Sequence, residues 1–125
     1  MARAERGNSR RALGCAGEDA ACAELRRRGY EILARQYRTR GGEIDIVAQQ
    51  GATTVFVEVK TRRGQEFGGG AAAVTWRKQR RIALVAQQFL ARHGAIDRPC
   101  RFDVVVVTPG ETPGIEVYTN AFCCR

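Results

Sequence analysis

Residues 42–60 read GEIDIVAQQGATTVFVEVK, and this stretch decides the fold. Two runs rich in β-branched residues, 42–49 and 53–60, flank a turn signal at Gln50-Gly51, a pattern that is typical of a β-hairpin. Because both runs are largely apolar, we expect the hairpin to be buried on both of its faces. A charged residue inside either run therefore needs a partner or a function.

Alternation along the strands places the charged residues of the hairpin on a common face. Glu58 and Lys60 share a face and lie roughly 6–7 Å apart along their strand. Opposed residues of an antiparallel pair also share a face. A two-residue turn at Gln50-Gly51 and a four-residue loop at 50–53 both put Asp45 on that face. The four-residue loop sets Asp45 directly across from Glu58, whereas a three-residue loop would separate them.

Two carboxylates on one face of a ladder repel each other. A hard divalent cation such as Mg²⁺, or Mn²⁺ in its place, offsets this repulsion because it prefers oxygen ligands. We expect Asp45 and Glu58 to bind it, with the backbone carbonyl of Val59 as a candidate third ligand. Lys60 would then orient water, lower its pKa or stabilise charge on a phosphate. The alternative is an exposed hairpin with a solvated Asp/Glu/Lys face and a weak salt bridge.

The rest of the chain predicts two helices and three further strands around this hairpin. Helical composition and apolar spacing favour helices over 9–28 and 75–92. Strands are expected at 30–38, 101–107 and 114–119, and a polar, glycine-rich loop at 62–70. The predicted order is α-β-β-β-α-β-β, an α/β fold with a mixed sheet and helices packed on it. We expect a basic flexible tail over residues 1–8 and a single domain over 9–125.

The charge of the chain is unevenly distributed. The 125 residues carry a net charge of +8 with a pI near 9.9, which indicates a polyanionic partner such as nucleic acid. Residues 1–40 have ten basic and five acidic groups, net +5, and residues 61–93 have seven and one, net +6. Residues 41–60 have one basic and three acidic groups, net −2. The carboxylates of residues 41–60 would repel the phosphates of such a partner. A metal ion bound between the carboxylates and a phosphate would remove this repulsion.

A third carboxylate comes from the first predicted helix. At 3.6 residues per turn, Glu18 shares a face with Ala21, Cys22 and Leu25, the least polar stripe of that helix. We expect this stripe to pack on the sheet, in which case Glu18 faces inward and lies close to the metal. The alternative is an ordinary exposed helix glutamate.

The second predicted helix begins with an unusual concentration of cations. Thr75 is a suitable N-cap, yet four basic residues crowd the first turns, where cations oppose the helix dipole. A bound phosphate would turn this into a favourable site, and the alternative is solvated surface charge. The residues expected to contact nucleic acid are Arg11, Arg62, Arg77, Lys78 and Arg81.

Helix phase separates the roles of these cations. Lys78 continues the apolar stripe of Ile82, so it should lean toward the sheet, whereas Arg77 and Arg81 face elsewhere and suit backbone phosphates. For Trp76 we favour a partly buried packing aromatic over a residue that stacks on a base.

The cysteines and the apolar runs of the sequence indicate the cellular compartment. Five cysteines without a CxxC spacing argue against a disulfide framework and favour a reducing environment. The longest strongly apolar run, 104–107, is far too short to cross a bilayer. The arginine-rich residues 1–11 lack the apolar core of a secretory signal. We therefore expect a cytoplasmic protein that does not contact membranes.

The charged residues together resemble a known pattern. The segments AGE at 16–18, GEID at 42–45 and VEVKTR at 57–62, followed by Lys78, resemble the PD-(D/E)XK nuclease superfamily, which has the restriction-endonuclease-like fold. From about residue 10 to 107 the chain resembles more closely the YraN family of small bacterial proteins, whose role is not established and which are similar to Holliday-junction resolvases.

The resemblance implies an α-β-β-β-α-β core with a metal between Asp45 and Glu58. It makes Lys60 the catalytic lysine and Glu18 an accessory acidic residue. The chain departs from the superfamily pattern in having Ile44 where a proline precedes the aspartate. It also departs in the small residues of 70–73, where some polar or acidic character is expected.

Three functions are compatible with these features. The first is a Mg²⁺-dependent endonuclease that cleaves DNA, with branched or structured DNA as a candidate substrate. The second is a nucleic-acid-binding module on the same fold that does not cleave, and the third is a protein-interaction scaffold with basic arms. Resolvase-like relatives act as dimers because a four-way junction has two-fold character, so a homodimer is compatible with the first.

Overall fold

The computed structural model describes residues 9–62 and 74–122, with side chains in the first range from Ala16 onward. The basic tail expected at residues 1–8, most of the loop expected at 62–70 and the small residues of 70–73 lie outside this part of the chain. The side chain of Arg11 also lies outside it.

Seven elements follow one another in the predicted order, and each ends within one residue of its expected bounds. They are α1 (Ser9–Arg27), β1 (Glu31–Thr39), β2 (Gly42–Gln50), β3 (Thr53–Thr61), α2 (Trp76–Arg92), β4 (Cys100–Thr108) and β5 (Gly114–Tyr118). Thr75 caps α2 as predicted, since its Oγ1 accepts a hydrogen bond from the backbone N–H of Lys78. His93 ends the helix, and Gly94 follows with a left-handed φ of 64°.

The five strands form one mixed sheet in the order β1-β2-β3-β4-β5. β1, β2 and β3 make an antiparallel meander, β4 lies parallel to β3, and β5 is antiparallel to β4. The parallel step requires a crossover, and α2 lies within it. The sheet is the mixed α/β sheet that the sequence predicted, and the order through β4, α-β-β-β-α-β, is consistent with the restriction-endonuclease-like core that the resemblance implies.

The core consists of two layers, one on each face of the sheet. Phe56, Val104 and Val106 pack with α2 on one face. Val55 and Val105, among others, pack with α1 on the opposite face. Neighbouring valines of β4 thus point to opposite layers, which explains why its sequence is continuously apolar.

The β2–β3 turn fixes the register of the hairpin. Gln50 pairs with Thr53, so Gly51 and Ala52 form the two-residue turn, and Gly51 adopts a left-handed φ of 61°. The turn expected at Gln50-Gly51 is therefore wrong by one residue, because glycine takes the first turn position rather than the second. The register is the one that the 50–53 loop predicted, with Ile46 opposite Val57.

Asp103 of β4 is fully buried and joins three parts of the chain. Its carboxylate accepts two hydrogen bonds from the guanidinium of Arg101, at 2.9 and 3.0 Å. It also accepts from the Tyr30 hydroxyl at 3.2 Å and from the Asn120 backbone N–H at 2.9 Å. A buried carboxylate with this many donors ties the start of β1 and the segment after β5 to β4.

Replacing Asp103 should therefore destabilise the fold. Asp103→Ala leaves the half-buried Arg101 and the Tyr30 hydroxyl without their acceptor, and breaking such a pair costs about 3 kcal/mol. Urea denaturation followed by circular dichroism measures the loss. Glu111→Ala, at an exposed position, is the control and should leave the midpoint unchanged. Equal midpoints for the two variants would contradict a structural role for Asp103.

Candidate functional site

β2 departs from regular strand geometry at Asp45. Ile44 packs in the layer on the α2 face, whereas Ile46 packs in the layer on the α1 face. Residues two apart share a face in a regular strand, so the strand twists between them. On the neighbouring strand Gln36 has a left-handed φ of 51°. Within the described hairpin, the ladder of β2 with β3 runs from Gln50 to Ile46 and does not reach Asp45.

The Asp45 carboxylate occupies the place of a ladder partner. Its Oδ2 accepts a hydrogen bond from the backbone N–H of Val59 at 2.8 Å. Asp45 therefore reaches β3 through its side chain, and the direct pairing with Glu58 that the register predicted does not form. The physical reason is the twist at Asp45, which ends the ladder one residue earlier.

The environment of Asp45 disfavours its charge. Burial and the negative charge of Glu58 raise the pKa of Asp45 to about 7, while the Val59 N–H and the Lys78 ammonium act in the opposite direction. The charge of Glu18 adds to the increase. The surroundings of Asp45 therefore oppose its negative charge, and its carboxyl titrates near neutral pH.

Glu58 is buried, with 4% of its surface exposed, and its two oxygens differ. Oε2 forms an ion pair with Lys78 Nζ at 2.5 Å. Oε1 is buried and has no hydrogen-bond partner among the described residues. Burial lowers the pKa of Lys78, but the hydrogen bond to Glu58 and the charges of Glu58 and Asp45 raise it more. The prediction that Lys78 leans toward the sheet is confirmed.

Lys60 lies on the same face of β3 as Glu58. Val104 and Val106 are the register partners of Glu58 and Lys60, and both valines pack in the α2 layer. Lys60 is half-buried and forms no ion pair with another described residue. The sheet thus brings a buried acid and an unpaired amine to one face.

Glu18 faces inward, as the helix phase predicted, with 6% of its surface exposed. It does not depend on a metal for a partner, because Arg35 of β1 contacts its Oε1 at 2.8 Å. Arg35 also binds Asp19 at 2.7 Å. Sequence reasoning missed Arg35, since β1 alternates loosely and its position gives no sign of a partner on α1. The helix and the sheet approach each other closely at Gly17. A Cβ atom at this position would lie only 2.9 Å from the Thr61 hydroxyl, so a larger residue would require a shift.

The other predicted nucleic-acid contacts are spread over the surface. Arg77 and Arg81 are exposed on α2. Arg62 instead approaches Glu116 of β5 at 3.6 Å, and its Nε is buried without a partner among the described residues. Arg62 therefore lies against the β4–β5 side of the sheet.

Trp76 is not the packing aromatic that the sequence suggested. Its side chain is 69% exposed, and the guanidinium of Arg80 lies over its ring, 4.9 Å from the centroid. Helix phase explains why this expectation is wrong. Trp76 is two residues from Lys78, about 200° around the helix at 3.6 residues per turn, so it points away from the sheet.

The donor set at Asp45 and Glu58 suits a hard divalent cation. Glu58 Oε1 is a buried acceptor to which no described residue donates. Mg²⁺ binds carboxylate oxygens, usually one or two of them together with water. In residues 9–62 and 74–122, no three Asp, Glu, His or Cys side chains form a group that could hold a metal. The side chains therefore supply two carboxylates, and backbone or water oxygens would complete the set.

His93 lies at the end of α2. It caps the helix and stacks on Phe89 with its ring centroid at 4.0 Å. Cys22 is a buried free cysteine and Cys100 an exposed one, whereas Cys123 and Cys124 lie outside the described residues. In the described part of the chain, neither helix has the length and apolar character needed to span a bilayer.

Fold and site together define an α/β protein whose element order is consistent with the restriction-endonuclease-like fold and which carries an acidic site facing lysine. Residues 17–107 match the model of the uncharacterised protein family UPF0102, and the chain belongs to that family. This confirms the resemblance to the YraN family, which is the same family.

Relatives of the chain carry the same family name. A UPF0102 protein of Symbiobacterium thermophilum is 56% identical over 100 residues, 80% of this chain and 85% of its own length. One of Geobacter sulfurreducens is 51% identical and covers 88% of each chain. Among solved structures, Pyrococcus furiosus SfsA in complex with Ca²⁺ matches with a TM-score of 0.41 and 15% identity. That match covers 92% of this chain and 64%, less than two thirds, of SfsA.

The raised pKa of Asp45 predicts a pH-dependent gain in stability for Asp45→Asn. The folded carboxyl titrates near 7 and the unfolded one near 4, so its favourable contribution is complete below pH 4 and is lost as pH rises through 7. Asparagine stays neutral and retains an acceptor for Val59. In metal-free buffer we expect the stability difference, variant minus wild type, to grow by roughly 2–3 kcal/mol between pH 5 and pH 8.

Urea denaturation at each pH, in the presence of EDTA, measures this difference. The matched control is Asp97→Asn, at an exposed position, for which the difference should stay constant with pH. A constant difference for Asp45→Asn as well would show that Asp45 is ionised normally and would contradict the electrostatic description of the site.

Proposed function

We propose that this protein is a Mg²⁺- or Mn²⁺-dependent endonuclease that hydrolyses phosphodiester bonds in DNA, with branched or structured DNA as its substrate. The observation that carries the proposal is the interaction of two carboxylates, the buried Glu58 and the half-buried Asp45. Asp45 and Glu58 raise each other's energy, and the Glu58 Oε1 atom has no donor among the described residues. Such an arrangement is costly unless a cation binds there.

The proposed ligands are the carboxylates of Asp45 and Glu58 and the backbone carbonyl of Val59. The hydrogen bond from the Val59 N–H to Asp45 supports this set, since it fixes the Val59 backbone beside one of the carboxylates. When bound, the cation supplies Lewis-acid stabilisation of phosphate charge and lowers the pKa of water.

Lys60 and Lys78 have distinct proposed roles. Lys60 has no ionic partner among the described residues, so its ammonium is free to orient a water molecule or donate to a phosphate oxygen as charge develops. Lys78 compensates Glu58 while 44% of its side chain remains exposed, which allows it to contact a substrate phosphate. Glu18 contributes charge near Asp45 and is positioned by Arg35.

Charge supports a nucleic acid as the substrate. The chain carries +8 overall, and Arg77 and Arg81 lie exposed on the helix that delivers Lys78 to the site. In this proposal they bind backbone phosphates, together with Arg11 and Arg62. The protein would act on DNA in the cytoplasm, and a second copy would match the two-fold character of a junction.

The test is a cleavage assay with four-way junction, flap, single-stranded and linear duplex DNA. Each substrate is incubated with Mg²⁺, Mn²⁺ or EDTA. We expect divalent-dependent nicking by wild type, and a loss of at least about 100-fold in Asp45→Asn and Lys60→Ala, the size of effect seen when a charge-stabilising group is removed. Asp97→Asn, which changes the same side chain at an exposed position, should cleave like wild type.

Three results would overturn the proposal. Cleavage that persists in Asp45→Asn would place the activity elsewhere or in a contaminant. DNA binding without cleavage, unaffected by Mg²⁺ and by Glu58→Ala, would indicate a non-catalytic binding module. Failure to bind nucleic acid at low salt, where phosphate contacts are strongest, would indicate a protein-interaction scaffold.

A further inference from the structure

A surface pocket of about 510 Å³ lies on the outer side of α2 and is lined by Trp76, Arg77, Arg80, Arg81 and Leu84. We refer to these five residues as the Trp76 patch. Trp76 is 69% exposed and Leu84 46% exposed. Tryptophan is highly buried on average, so an aromatic ring left in solvent among three arginines indicates a binding surface.

The arginines of the patch lack acidic partners. Among the described residues, none of Arg77, Arg80 and Arg81 forms an ion pair, and the first turn of α2 contains no acidic residue. All three lie in the first two turns, where the helix dipole already places positive charge. The patch therefore has a positive electrostatic potential. No acidic group among the described residues neutralises it, whereas a bound polyanion would.

The pairing of Arg80 with Trp76 shows which anion fits. The guanidinium lies 4.9 Å from the indole centroid, which forms a platform of two stacked planar groups. Aromatic rings and guanidinium planes are the groups on which proteins stack unpaired bases. A platform for a flat ring beside cations for phosphates matches a nucleotide chain better than an acidic peptide.

Helix geometry links the patch to the acidic site. Lys78 contacts Glu58, and from Lys78 the side chains of Arg81, Arg77 and Trp76 follow in one direction around the helix at about 60°, 100° and 200°. Arg81 and Arg77 therefore lie on one side of the helix, between the lysine that contacts Glu58 and the exposed indole on the far side. A strand that lies along this side of the helix meets the acidic site and the platform together.

We propose that Trp76 stacks on an unpaired base of a single-stranded DNA segment whose phosphates are bound by Arg77 and Arg81. The inference rests on the proposed function for its choice of DNA, and it narrows the substrate to DNA with unpaired nucleotides next to the cleaved bond. A fully paired end would leave the platform unused.

Trp76 is the only tryptophan in the chain, so intrinsic fluorescence reports on the platform directly. Wild-type protein in EDTA is titrated with a twelve-residue oligothymidine, a matched blunt duplex and poly-glutamate. We expect quenching by oligothymidine that exceeds quenching by the duplex several-fold, and none by poly-glutamate. Oligouridine should quench as well, since every base offers a stacking face.

Affinities of variants are then measured by the anisotropy of labelled DNA. Trp76→Ala should weaken oligothymidine binding roughly five- to fiftyfold and Trp76→Phe less than threefold, with duplex affinity changed less than twofold in both. Ile96→Ala, which removes a different exposed apolar side chain, should change neither. Melting curves of Trp76→Ala should match wild type because the ring is exposed.

Equal losses on single strand and duplex, equal quenching by poly-glutamate, or quenching by oligouridine alone would each overturn the inference. The assay contains no divalent metal and scores no cleavage. Selective stacking in a protein that never cuts would therefore refute the proposed function and leave the platform standing. Cleavage without selective stacking would support the proposed function and refute the role of Trp76 as a stacking platform.

Discussion

The hydrogen bond from the Val59 N–H to the Asp45 carboxylate is the interaction on which the rest of the site depends. A strand inside a sheet must satisfy each of its N–H groups, and at Val59 the neighbouring strand has twisted away. The Asp45 side chain satisfies the donor that the backbone ladder leaves open. The same hydrogen bond therefore replaces the missing ladder pair and fixes the Asp45 carboxylate within the sheet. Burial there disfavours the charged carboxylate, which raises the pKa of Asp45.

The two helices balance charge unequally on the two faces. On the α1 face, Arg35 contacts Glu18, so that acid has a cation of its own. On the α2 face, Lys78 binds only one oxygen of Glu58, and the other oxygen is buried without a donor among the described residues. Among the described residues, the buried acceptor oxygen without a donor therefore belongs to Glu58 and not to Glu18. This difference separates Glu58, a candidate ligand, from the accessory acid.

The sequence predicted the strands and the shared face of Glu58 and Lys60, because period-two alternation and a glycine turn are local signals. It also predicted the inward positions of Glu18 and Lys78, since helix phase depends only on spacing. It did not predict the partners of Asp103, which lie up to 73 residues away in the chain, nor Arg35, whose strand alternates loosely. The exposure of Trp76 was predictable, because the phase that turns Lys78 inward turns Trp76 outward.

The fold shows where the basic and acidic segments of the chain direct their charges. If the basic segment that contains α2 served to neutralise the acidic hairpin, its cations would point at the sheet. Lys78 does so, and Glu43 of the hairpin pairs instead with Arg38 of β1. The three arginines of the Trp76 patch face solvent, so their charge is directed outward. The first two turns of α2 thus direct one cation to a buried acid and three to the surface, so an anion-attracting surface lies on the same helix as the lysine of the acidic site.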